Sequence, residues 1–436
     1  MFHGVPMISR WRWLLRQLLQ KLWVVALLYT CLGIGTAFLA PAIGPFLPEG
    51  LGEKLGSGAV ESVLSVLASS MLAVVTFSLG IMVSAFTAAA GAVTPRTTTL
   101  LKADRTTQRV LSTFLGSFLF SLIGIIALKA GVYSDNDRLV LFAVTILVVG
   151  IIVVAILRWI AHLTVFCLMN DSISKVETAA RLALEQRMAA PYLGGHAFDG
   201  APPSDAEPVA HPEIGYLCHV DMPALQDVAD QFGLRLYLAV QPGSFLHPAQ
   251  PALWLLRDGT GQQTSAREDF DPCLLTDALT VSITRNFDQD PRFGLAVLTE
   301  IAERALSPAV NDPGTAIDIL GRAVRLLAPW AEQRSVTLDF PRLWVPPLHV
   351  ADALEDVFPP IARDGAAIFA VQIRLQKSLL ALTQIAPAIF GPSAILQSAE
   401  AMARCRDQML PSELDRLQAV VAAISQAADT GRARPI

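Results

Sequence analysis

Arg285, Asn286, Asp288 and Asp290 fall close together, and Ser307, Asn311 and Asp312 follow about one helix further on. A guanidinium beside two carboxylates can hold an anion and move a proton. Arg285 would bind the anion, with Asp288 or Asp290 as acid or base. Folded against Ser307, Asn311 and Asp312, they would line a polar pocket. The same residue types also have a structural use. Asp and Asn are common helix caps and turn residues, because a short side-chain oxygen accepts from backbone N–H groups that lack partners. Asp271, Asp290 and Asp312 are each followed by proline, which costs no hydrogen bond at the first helical position. The capping reading is the stronger. It makes the connector Ser307-Pro308-Ala309-Val310-Asn311 a joint or interface between helices.

The elements needed to position these residues follow from periodicity. Phe293, Val297, Ile301 and Leu306 recur at near-helical spacing, with Glu300, Glu303 and Arg304 on the other side, which predicts a helix over 292–306. Further helices are expected over 273–283, 313–327, 350–358, 366–385 and 393–428. The stretches 214–217, 234–240 and 252–256 read as strands, with a helix over 222–232 between them. The segment 343–348, with WVPP at its centre, reads as a connector with short strand character. Residues 189–213 are rich in Pro, Gly and Ala and read as an exposed linker. The expected organisation is a basic amphipathic segment over 1–21 and a four-helix membrane domain over 22–158. After these come a helical extension and linker over 159–213, a small α/β module over 214–265, a helical domain over 266–428 and a disordered tail over 429–436.

Membrane insertion is read from composition. The chain is 53% hydrophobic and 16% charged, against roughly 25% charged in ordinary soluble domains. Its mean hydropathy is +0.48, and the apolar surplus lies before about residue 170. Four spans of adequate length are expected, over 22–40, 63–90, 110–128 and 139–157. The first is too long for the apolar core of a signal peptide and reads as an anchor. Arg10, Arg12, Arg16 and Lys21 precede it, and Arg96, Lys102, Arg105 and Arg109 lie between spans two and three. The outer loops carry fewer basic residues. The positive-inside rule then places both termini in the cytoplasm of a bacterial inner membrane. The fourth span is expected to continue as one helix into the cytoplasm, carrying His162, which reads more readily as a satisfied interfacial ring than as a pH sensor.

No Asp, Glu, Lys or Arg lies within the spans, which argues against an ion-coupled transporter or a proton relay. The second span is rich in small and hydroxyl residues. Ser69, Thr76, Ser78 and Ser84 could line a polar pathway, or could be packing devices of an interior bundle helix.

Other classes find less support. A net charge of −5 gives no footprint for nucleic acid. The five cysteines and seven histidines show no metal-ligand spacing, and GxxxxGK[ST], GxGxxG and GxSxG patterns are absent. The hairpin over 236–256 is reminiscent of biotinyl or lipoyl modules but has no carrier lysine. No cofactor or metal is expected, and an enzyme is the weakest class.

Several stretches together are similar to a known family. They are Thr94-Pro95-Arg96 with the following TQRVLSTFLGSFLFSL, GYLCHVDMPAL, LAVQPGSFLHPAQP, and RNFDQDPRFGLAVLTEIAERALSPAVNDPGTAID. With the order of parts, they resemble a bacterial domain-of-unknown-function family of predicted multi-pass membrane proteins (DUF-2254 type), from about Trp11 to about Leu382. The most specific marks are Asp290-Pro291-x-Phe293-Gly294 and Ala305-Leu306-Ser307-Pro308-x-x-Asn311-Asp312-Pro313. The connector departs from the family, with Ala309 where glycine is expected. The resemblance implies topology and location but no activity.

The expected fold class is an α-helical membrane domain of four transmembrane helices plus an α+β, mostly helical, cytoplasmic domain. The lipid bilayer and further copies of the chain are the expected partners. The expected role is an oligomeric, channel-like conduit with a cytoplasmic vestibule or gate. The alternative is a membrane-tethered sensor or scaffold whose cytoplasmic domain binds a ligand or protein.

Overall fold

A computed structural model describes residues 22–43, 58–92, 94–97, 104–134, 137–163, 169–257, 270–332 and 337–432. The expected amphipathic segment 1–21 lies outside them, as do residues 433–436 of the tail. The chain divides into two compact units, Met1–Ser172 and Ile173–Ile436.

Among the described residues, the first unit contains four helices long and apolar enough to cross a membrane: α1 (Leu22–Ile43), α2 (Ala59–Ala92), α3 (Arg105–Lys129) and α4 (Asp137–Leu163). Each contains its expected span; α1 extends it by Pro41, Ala42 and Ile43, and the other three extend into flanking polar residues. The helix α3 is the hub, with α1, α2 and α4 all packed on it. About 61% of its apolar window is buried, against 17% for α2. Phe114 and Phe120 of α3 share the core with Leu64 of α2 and with Leu141, Val148, Ile152 and Trp159 of α4. Ser112, Thr113, Ser117 and Ser121 are also buried, each hydroxyl donating to the carbonyl four residues earlier. Buried hydroxyl residues are therefore concentrated in α3, while most of α2 is exposed.

Asp104 caps α3 by accepting from the Thr107 N–H at 2.9 Å. The His162 ring, on the last turn of α4, bonds the Thr107 hydroxyl at 3.0 Å and lies 3.4 Å from the Asp104 carboxylate. The ring thus ties the start of α3 to the end of α4. The expected continuation of this helix beyond Leu163 falls on residues 164–168, outside the described residues.

The second unit begins within α5 (Met169–Ala189) and carries two small sheets and a group of helices. The strands are β1 (His196–Ala197), β2 (Glu207–Ala210), β3 (Gly215–Val220), β4 (Leu234–Leu238), β5 (Phe245–Leu246), β6 (Pro251–Arg257), β7 (Leu279–Ser282) and β8 (Leu343–Val345). One sheet runs β1-β8-β4-β6-β2 and the other β5-β3-β7. The helix α6 (Met222–Phe232) starts at Asp221, which accepts from the Ala224 N–H, and ends at Gly233 in the left-handed region. Its Met222 and Leu225 join Leu217, Leu236, Leu253, Leu255, Leu275 and Val345 in one apolar core.

After the four-residue α7 (Cys273–Thr276) come α8 (Pro291–Leu306), α9 (Pro313–Leu327), α10 (Val350–Asp364), α11 (Phe369–Ile385), α12 (Pro387–Cys405) and α13 (Pro411–Arg432).

Four expectations are corrected. The 189–213 linker supplies β1 and β2, because the edges of a sheet find backbone partners in irregular chain as readily as in strand-like sequence. The α/β module is not closed at residue 265, since β7 and β8 come from later chain. The expected helix over 273–283 stops after one turn and becomes β7, whose Leu279-Thr280-Val281 carries the β-branched residues that fit a pleated surface. The long helix over 393–428 is two helices: Pro411 cannot continue the first and opens the second. The second then runs through residues 429–432 of the expected tail.

Candidate functional site

Asp290 is almost fully enclosed, at 2% exposure, and four donors converge on it. The backbone N–H groups of Arg292 and Phe293 donate at 3.2 and 3.1 Å, so its side chain caps α8. Arg285 donates through Nε at 2.7 Å and Nη2 at 3.0 Å and lies over the Phe293 ring, 5.1 Å from its centroid. Burial pushes the Asp290 carboxyl up, opposed by the Arg285 guanidinium and the two amides. A fifth contact comes from the turn after β4. Gly243 holds φ +96° there, and an added Cβ would overlap the Asp290 carboxylate. The acid is thus consumed as cap and counterion, and Arg285 is engaged on it.

Around this pair the sheet edge contributes further groups. A β-bulge in β3 shifts the register between Leu217 and His219, and Cys218 sits in it. The Cys218 thiol donates to the Thr284 carbonyl at 3.3 Å. Burial, then Asp290 and Asp288, push the thiol up, the opposite of what an activated nucleophile needs. His219 is pushed down by burial, opposed by Asp221 and then Asp288, and Asp288 is pushed up by burial, opposed by His219. The Gln289 side chain pairs like a strand with Val220, accepting from its N–H at 2.8 Å.

Ser307, Asn311 and Asp312 lie at the other end of α8. Its 16 residues separate the two polar groups by about 24 Å at 1.5 Å per residue. The pocket joining them does not form. Ser307 donates to the Arg304 carbonyl at 2.7 Å. Asn311 adopts φ +50°, a conformation Asn tolerates better than most residues, so the positive φ of the connector falls there and not at Ala309. Asp312 caps α9, accepting from the Thr315 N–H and hydroxyl at 3.2 and 2.6 Å.

The two sequence marks therefore have a physical account. In the first, Asp290 caps, Pro291 opens α8, Phe293 lies under Arg285, and Gly294 lets α8 approach Ala180 of α5 where a Cβ would overlap it. In the second, Ser307 ends α8, Asn311 turns the chain and Asp312 starts α9.

The four membrane candidates do not share one face. At about 100° per residue, Ser69, Thr76 and Ser84 fall near one line, while Ser78 lies about half a turn away. Ser78 is buried and the other three are exposed. The exposed line is fuller than expected: Ser62, Ser69, Ala73, Thr76, Gly80, Ser84 and Thr87 all lie on it. The Ser69, Thr76 and Thr87 hydroxyls donate to carbonyls four residues back, at 2.9 to 3.0 Å.

The sequence offered no pointer to Arg187. It looks like the ordinary cation of a helix C-terminus, yet it is 4% exposed and forms no ion pair among the described residues. Among the described residues no group of three His, Cys, Asp or Glu side chains is placed to hold a metal.

Residues 20–381 match the family model described as predicted membrane protein, DUF2254. The chain belongs to this family. The match starts somewhat after Trp11 and ends within α11, so it takes in the membrane helices, both sheets and both sequence marks. Uncharacterized proteins of Mycobacterium bovis and Mycobacterium tuberculosis are 26% identical to this DUF2254 chain over 329 residues, 73% of it. The chain spans 62% of the length of these relatives. No solved structure matches it.

Proposed function

We propose that this DUF2254 protein assembles as a homo-oligomer in the bacterial inner membrane, with both termini cytoplasmic, and forms a channel-like conduit. The stripe on α2 faces the shared axis. The observation that carries this reading is the outward position of Ser62, Ser69, Thr76, Gly80, Ser84 and Thr87 on the least buried of the four helices. Val66 and Phe77 flank the stripe on one side and Leu72 and Leu79 on the other, all exposed, as lipid-facing or helix-facing borders. Small residues let helices approach closely, and hydroxyls offer polar atoms where lipid offers none. The second unit is the vestibule or gate in this reading, and catalysis has no part in it.

The test is conductance of the purified oligomer in planar bilayers. Thr76→Leu and Gly80→Leu should reduce conductance at least severalfold, while Ser78→Ala, inside the bundle, should leave it unchanged. A monodisperse oligomer without conductance would sink the proposal. A second reading, a membrane-tethered sensor, draws on one observation, the buried unpaired cation of Arg187. It is favoured if the second unit fused to an unrelated anchor retains cellular activity.

A further inference from the structure

Among the described residues, the other buried arginine of the second unit, Arg322, is 7% exposed and pairs with Glu177 and Asp318. Arg285 and Arg292 likewise pair with Asp290 and with Asp352 and Asp356. Arg187 is more enclosed than any of these and, among the described residues, has no acidic partner. Its Nη2 donates to the Gln241 side-chain oxygen at 3.1 Å and to the Pro346 carbonyl at 3.0 Å. Its Nε and Nη1 are buried with no acceptor, which leaves three of the five N–H bonds of a guanidinium unused.

Burial pushes Arg187 down to about 10, with Tyr192 opposing, so the group is cationic at neutral pH. A buried cation without a counter-charge is unfavourable unless something compensates it. The surroundings hold the group in place. Gln241, in the turn after β4, turns its oxygen to Arg187 because its amide nitrogen donates to the Pro347 carbonyl at 2.7 Å. Three separate stretches thus converge on the guanidinium: the last turn of α5, the turn after β4, and the Pro346-Pro347 connector after β8.

The geometry points to a small-oxyanion site in the second unit, in which a free carboxylate or phosphate bonds Nε and Nη1 of Arg187 while Gln241 positions the guanidinium. Neither Nε nor Nη1 has accessible surface, so entry requires a local opening around Arg187, and a small ion needs less of one than a lipid or nucleotide headgroup. Charge-assisted hydrogen bonds of this kind are about twice as strong as neutral ones. The site would give the sensor reading a ligand class.

The test is thermal unfolding of the full chain in detergent, in chloride buffer at fixed ionic strength, titrated separately with phosphate and acetate. The wild type should show a saturable rise in Tm at millimolar anion with at least one of them. Arg325→Met, which removes an exposed arginine, should keep that rise. Arg187→Met should abolish it. Gln241→Leu retains the charge and should raise the half-saturating concentration about tenfold, the loss of one net hydrogen bond; it serves if Arg187→Met does not fold. A flat wild-type response to both anions would mean that buried water satisfies the group, and would overturn the proposal. So would a linear rise shared by wild type and Arg187→Met, the mark of anion exclusion from the whole surface, or an unchanged half-saturation in Gln241→Leu.

Discussion

Asp290 accepts two backbone and two guanidinium hydrogen bonds while nearly enclosed, and the chain can approach it on its remaining side only as bare backbone. Gly243 meets that condition and also holds φ +96°. Gly243→Ala adds a methyl group where the carboxylate already is, in a backbone conformation that penalises any side chain. Strain of this kind costs about 1–3 kcal/mol and overpacking a similar amount. The variant should therefore lose about 2–6 kcal/mol in denaturant unfolding, whereas Gly200→Ala, which also holds a positive φ but meets nothing within 4 Å, should lose less. Equal losses would mean that contact with Asp290 contributes nothing. The capping role of Asp290 was legible in sequence because a cap reaches only two or three residues ahead. Its contact with Gly243 was not, since nothing local in Pro242-Gly243-Ser244 names a partner so far along the chain.

Helix starts are the elements that sequence located best, and α9 allows a quantitative check. The Thr315 hydroxyl, with the amides of Thr315 and Gly314, holds the Asp312 carboxyl below the usual carboxylate range. A carboxyl depressed in the folded state contributes stability that is present above its unfolded value, about 4, and is lost as pH falls through the folded value. Asp312→Ala should cost about 1 kcal/mol at neutral pH, the usual worth of an N-cap. That difference from wild type should hold between pH 7 and 5 and shrink below pH 4, as followed by denaturant unfolding across the range. A constant difference down to pH 2 would show that the cap acts without its charge. Strand positions were less legible. β1, β7 and β8 have two to four residues each, too few for alternation to register; β7 pairs with β3, β8 with β4, and β1 with β8 in turn. On α2 the polar residues were legible but their faces were not. Composition alone placed Ser78 with Ser69 and Thr76, and only the packing of α3 shows which side of α2 is covered.

At the scale of the molecule, the helix to weigh is α5, which spans the division between the two units. Within the second unit it is tied at three levels: Glu177 pairs with Arg322 and Arg325 of α9, Ala180 meets Gly294 of α8, and Arg187 bonds Gln241 and Pro346. It also buries Ile173, Val176 and Leu184. At about 1.5–3 kcal/mol for each large apolar side chain, those three alone contribute about 5–9 kcal/mol. That is comparable to the whole net stability of a domain, about 5–15 kcal/mol. A fragment starting at Met169 should therefore fold without detergent and unfold cooperatively, because its sheets and helices enclose a core of their own. A fragment starting at Ala190 has the same sheets and the same later helices but exposes the surfaces that α5 covers, so it should aggregate or unfold without a cooperative transition. Circular dichroism and size-exclusion chromatography of the two fragments distinguish these outcomes. If both behave alike, α5 is a linker to the membrane helices and not a part of the second unit's core.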